Sequence, residues 1–239
     1  MSDIMTVMRK ERLMLFRYRG GRMRFVLTLL SPLLLAFYVS WSSGIRWVEQ
    51  PVPVFPCALV AVLAVIIVVP ETFAGERERH TLETLLATRL SDASILFGKL
   101  GLAVAFSMIL VVVVLALGLI TANIFHWGGE PLLYTAQNLA VTLTVSLLMS
   151  VLVAAVGVFI SLGSETVQEA TQTLAGVVLV PPIILGMLVL IFRRKFVYML
   201  MLAARPISGL VVLLTFILID LLLLAELRRR FHRSRLLLD

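Results

Sequence analysis

Residues 95–120 read ILFGKLGLAVAFSMILVVVVLALGLI, and this run decides the fold. It holds a single charge, Lys99, and as a helix rising 1.5 Å per residue it reaches about 39 Å, more than the roughly 30 Å of hydrocarbon in a bilayer. Nothing in it alternates as a barrel strand would, and backbone groups are not left unpaired in lipid, so the run is expected to be a membrane-spanning helix. Comparable apolar blocks occupy residues 25–41, 54–73, 139–162, 174–192 and 207–225. The expectation is an all-α, polytopic integral membrane protein with six transmembrane helices.

The composition points the same way. Of 239 residues, 60% are hydrophobic and 15% charged, against about 45–50% and 25% in a soluble domain. A water-soluble fold of this size has no interior large enough for that much apolar surface. The net charge is +7, but the basic residues sit at the ends of the apolar blocks, where they set membrane orientation, and no nucleic-acid partner is expected. Sixteen of the 21 Lys and Arg residues fall on one side of the expected topology: those from Arg9 to Arg24, then Arg77, Arg79, Arg89 and Lys99, and those from Arg228 to Arg235. The other five, Arg46, Arg193, Arg194, Lys195 and Arg205, fall on the opposite side. The asymmetry places both termini in the cytoplasm of a multi-pass protein of the cell's inner (plasma) membrane. A lone cysteine, Cys57, rules out an intramolecular disulfide and is expected to be a small apolar filler. Seven basic residues scattered through the first 24 break up any signal-peptide core, so the first span is expected to serve as its own insertion signal.

Three accessory segments flank or interrupt the six-span bundle of residues 25–225. Residues 1–22 mix Arg and Lys with Met, Leu and Phe as a basic amphipathic helix lying along the headgroups would. Residues 193–206 carry an apolar stretch too short to cross and are expected to form a re-entrant or interfacial segment. Residues 226–239 form a basic cytoplasmic tail. Trp41, Trp47, Trp127 and Tyr134 lie at outer span ends as interfacial anchors. Pro32 in the first span and Pro181-Pro182 in the fifth remove backbone donors and mark kinks or hinges.

The most informative stretch joins the second and third spans: PETFAGERERHTLETLLATRLSD at 70–92, followed by ILFGK at 95–99. Leu82, Leu85, Leu86 and Leu90 recur at three- and four-residue spacing, while Arg79, Glu83 and Thr84 fall on other faces, which predicts a short amphipathic helix over about 78–90. Gly75 is expected to break the second span, and Ser91 or Asp92 to cap the third. Such a helix serves either as a connector resting in the headgroups or as a coupling helix seated in a groove of a separate ATPase.

The residues themselves resemble the stretch between the second and third spans of the ABC transporter type 2 permease family. Glu76, Arg77, Glu78, Thr81, Leu82, Glu83, Leu85, Leu86, Gly98 and Lys99 fit that pattern, while Arg89 stands where many members have proline. The resemblance implies a cytoplasmic coupling helix here, with Glu76, Arg77, Glu78, Arg79, Thr81, Leu82, Glu83, Leu85 and Leu86 as the ATPase-coupling residues. It further implies the membrane permease subunit of an ABC exporter, working with a second permease and a cytoplasmic ABC ATPase subunit. The chain has no P-loop: the nearest match, residues 93–100, lacks the first glycine and the hydroxyl. It is therefore expected to be no enzyme and to bind no cofactor itself, with ATP and Mg on the partner ATPase. Glu169-Ala170-Thr171 followed by Gly176 echoes the coupling signature of ABC importers, but the glycine comes one residue late and the loop is short.

Two further acidic residues are candidates for a pathway or gate. Asp220 lies inside the sixth predicted span, where a carboxyl is costly, and Glu71 lies near the inner end of the second. The alternatives are a hydrogen-bonded structural role for Asp220 and a headgroup-level charge for Glu71. His80, His126 and His232 are too scattered for a metal site, and no G-x-S-x-G nucleophile turn occurs. The rival to the exporter reading is a stand-alone membrane scaffold or secondary transporter not coupled to an ATPase.

Overall fold

The computed structural model of the chain describes residues 22–78, 91–191 and 206–230. Regular structure among these residues is entirely helical: α1 (Arg22–Ser43), α2 (Arg46–Glu49), α3 (Val54–Glu78), α4 (Asp92–Phe125), α5 (Ala136–Gly163), α6 (Val167–Ile191) and α7 (Pro206–Arg230). Five stretches are long and apolar enough to cross a membrane, namely Val54–Glu78, Asp92–Phe125, Ala136–Gly163, Val167–Leu188 and Leu210–Arg229. The chain is thus a multi-pass helical membrane protein. α1 contributes a shorter apolar stretch, Leu33–Ser43.

α3 is the central element, packing most extensively against α5 and then against α4, α6 and α1. Its Val65, Val68, Val69 and Phe73 share one core with Ile95 and Leu96 of α4, Val153 and Val158 of α5, Leu174 of α6 and Leu227 of α7. A second cluster toward the other end joins Ala36 of α1, Cys57 and Val60 of α3, and Val111 and Val114 of α4. Cys57 is fully buried there as an apolar filler. Interhelical packing in lipid depends on close contact and not on water exclusion, which favours small residues at crossings. Gly157 of α5 is such a case, since a Cβ there would stand 2.9 Å from both the Val69 and Leu174 side chains.

α3 does not break at Gly75. It continues to Glu78 and carries Pro70 within it. The residues around the glycine, from Thr72 to Glu76, are buried against neighbouring helices, and this packing outweighs the weak helix propensity of glycine. α4 opens with the expected serine cap, the Ser91 hydroxyl accepting a hydrogen bond from the Ser94 amide at 3.1 Å. α6 likewise runs unbroken through Pro181 and Pro182. Its residues 180–188 are exposed on every face, as suits an apolar helix with lipid for solvent. α7 packs against α5.

At the end where α4 gives way to α5, α2 forms an interior plug. Trp47 is fully buried, which corrects its assignment as a headgroup anchor. The physical reason is hydrogen bonding: its indole Nε1 donates to the Tyr134 hydroxyl at 2.6 Å, and that hydroxyl donates to the Leu115 carbonyl at 2.9 Å. Asn138 Nδ2 donates to the Trp47 and Val48 carbonyls at 3.2 and 2.9 Å, and Thr135 Oγ1 to Val48 at 3.0 Å. Burial pushes the Tyr134 phenol above its ordinary pKa, so it keeps the proton it donates. Trp41 and Trp127 are exposed, and Trp41 joins Phe125 edge-on at 6.5 Å in an aromatic belt of the kind found at membrane interfaces. The linker between α4 and α5 exposes Gly128, Gly129 and Glu130, with Gly129 at φ +97°.

The expected interfacial helix of residues 1–22, apart from Arg22 at the start of α1, lies outside the described residues. So do most of the re-entrant segment 193–206, the bulk of the coupling helix and residues 231–239. The first part of the expected tail, 226–230, continues α7 as helix.

Candidate functional site

The site lies where α3 ends and α4 begins. Glu76 and Lys99 are 2% and 1% exposed, and Lys99 Nζ stands 2.5 Å from Glu76 Oε2. Lys99 also donates to the backbone carbonyl of Thr72, and its ammonium lies 4.6 Å from the centre of the Phe73 ring. Thr72 and Glu76 are four residues apart, so one turn of α3 offers a carbonyl and a carboxylate to the same cation. A charge in such surroundings is tolerated only when paired and hydrogen-bonded. The outcome is a clasp that fixes the end of α3 to the second turn of α4.

The residues around the clasp tie α3 to the turn between α5 and α6. The Ala74 amide donates to Ser161 Oγ at 2.9 Å, the Arg77 guanidinium to the Ser164 carbonyl at 3.2 Å, and the Val167 amide to Glu78 Oε2 at 3.1 Å. α6 starts on a reciprocal cap: Thr166 Oγ1 accepts from the Glu169 amide at 3.2 Å, and Glu169 Oε2 accepts from the Glu165 amide at 3.0 Å. Glu169, the residue that echoes the importer signature, thus has a local structural use.

Of the nine coupling residues, Glu76 is buried in the clasp, Arg77 is half-buried and Glu78 exposed. Arg79, Thr81, Leu82, Glu83, Leu85 and Leu86 lie outside the described residues. Glu71 is half-buried on α3, and Asp220 is 5% exposed on α7. No group of three or more metal-ligating side chains occurs among the described residues.

The clasp itself is not anticipated by counting Lys99 among the charges that set orientation. The signal for it is present all the same, because a lysine inside a long apolar run needs an acidic partner at its own depth. Also unanticipated is a buried polar row on α5, with Asn138, Thr142, Ser146 and Ser150 at four-residue spacing. No protein-family model, no curated protein and no solved structure matches this chain.

Proposed function

We propose that the chain is the permease subunit of an ATP-driven exporter of the ABC type 2 kind, with α1 as a sixth span and both termini in the cytoplasm of the plasma membrane. A second permease would complete the path, and a cytoplasmic ABC ATPase subunit would hold ATP and Mg. The observation that carries this reading is the Glu76–Lys99 clasp. It binds the two helices that flank residues 79–90, so a force applied to that segment would reach α3 and α4 together. α3 is the most buried of the five candidate spans, and movement there would be passed to α5 and α6 through the Arg77 and Glu78 bonds. Glu76 acts in this scheme as a positioning residue, and Leu82 and Leu86 supply the apolar contact to the ATPase.

Burial of a leucine contributes about 1.5–3 kcal/mol, so Leu82→Asp with Leu86→Asp is expected to release the ATPase. The permease would still insert, because neither position lies in an apolar block. The measurement is ATP hydrolysis recovered with the purified permease from native membranes at matched expression. Equal recovery with wild-type and double variant would leave segment 79–90 a surface connector and remove the exporter reading.

A further inference from the structure

We propose that Asp220 is a proton-binding site within the membrane. Its side chain is 5% exposed, and neither carboxyl oxygen has a hydrogen-bond partner among the described residues. Asp220 sits in the apolar stretch of α7, within the candidate span Leu210–Arg229. α5, the helix that α7 packs against extensively, has no Asp, Glu, Lys, Arg or His anywhere from Ala136 to Gly163. On α7 itself the nearest charges, Glu226 and Arg228 to Arg230, begin six residues on, about 9 Å along the axis.

Through Leu224 and Leu227 the end of α7 reaches the core shared by α3 and α4, and the α3 and α4 cations described there are already engaged. Lys99 is bonded to Glu76 and to the Thr72 carbonyl, and Arg77 to the Ser164 carbonyl. Among the described residues the other charged groups at that end, Glu71 and Glu78 on α3, Asp92 on α4, Glu165 before α6 and Glu169 on it, are acidic and supply no countercharge. An ionised carboxylate buried without a counterion or a protein donor is strongly disfavoured. The neutral acid is the form these surroundings hold. With both oxygens covered, a proton is the ligand the site accommodates. The proton is taken from water onto one carboxyl oxygen and returns to water when the carboxyl ionises. This assignment stands independently of the exporter reading.

The test uses the full chain in lipid vesicles with aspartate labelled by carbon-13 at the side-chain carboxyl. The chain has four aspartates, Asp3, Asp92, Asp220 and Asp239. Infrared spectra at about pH 5, above the ordinary aspartate range, are expected to show about one quarter of the labelled signal, one aspartate of the four, as a protonated carboxyl stretch that shifts in heavy water. Asp220→Asn should abolish that band. Asp220→Glu, which keeps a carboxyl but carries no label, should abolish it too and covers the case in which the asparagine variant does not insert. Labelled signal found entirely as carboxylate in the wild type would mean that Asp220 is ionised against a cation from another chain or ligand, and would overturn the proposal. So would a protonated band that survives either substitution.

Discussion

At the scale of single residues, the Glu76–Lys99 clasp makes the sharpest demand on the sequence. Removing one member of a buried pair strands the other, which typically costs about 3–5 kcal/mol, whereas replacing both by uncharged groups of similar shape is far milder. Lys99→Met is therefore expected to lower stability by about 3–5 kcal/mol, and Lys99→Met combined with Glu76→Gln to recover most of that loss. Denaturant unfolding of the purified protein in detergent measures both. Equal destabilisation by the single and double variants would show that Glu76 and Lys99 do not interact energetically. Single residues are also where the sequence was hardest to read. Lys99 stands five residues into an apolar run, and topology counting treats such a residue as lying beyond the span. Only the partner contributed by α3, 23 positions earlier, explains why it is tolerated inside.

At the scale of elements, five helices were legible because their apolar blocks are long enough to cross hydrocarbon, while the first block holds only the shorter stretch Leu33–Ser43. The ends were not. α3 overruns Gly75 because its last turns are packed on α5, a tertiary effect that local propensity does not carry. The short helix α2 was missed altogether, since four residues leave no periodicity to detect. Its Trp47 was assigned to the headgroups on residue type and nearness to a span end, although it faces Tyr134 and the bundle. A protein retaining only this tryptophan, through Trp41→Phe and Trp127→Phe, is expected to resist both aqueous iodide and brominated lipid as fluorescence quenchers. Strong quenching by either agent would place α2 at a surface and remove the plug.

At the scale of the molecule, the multi-pass helical character was plain from the apolar blocks, of which five are long enough to span, and the proposed orientation rests on the basic asymmetry. A cysteine scan tests it, in a Cys57→Ala background. Asn138 lies near the appropriate end but is buried and bonded to the Trp47 and Val48 carbonyls, so a cysteine there would be silent for reasons unrelated to topology. Glu130, on the exposed linker, is the suitable position. Glu130→Cys is expected to react with an impermeant maleimide added outside intact cells, and Thr88→Cys only after the membrane is opened. Reaction at Thr88 alone in intact cells would invert the topology and turn the clasp away from any cytoplasmic motor. The proposed function rests on segment 70–99 alone, where charge and small residues interrupt the apolar pattern; the uniform apolar blocks report solvent, not chemistry.

The same linker has a practical consequence. Gly128 and Gly129 have open space where a side chain would stand, and Gly129 holds a left-handed backbone that no helix end depends on. A 26.5 kDa chain that is mostly sunk in lipid presents little for a particle-alignment algorithm to grip. A rigid epitope spliced between these two glycines would stand clear of the bilayer and accept an antibody fragment. The small bundle would then carry a visible handle for electron cryomicroscopy without disturbing the Trp47 plug beneath it.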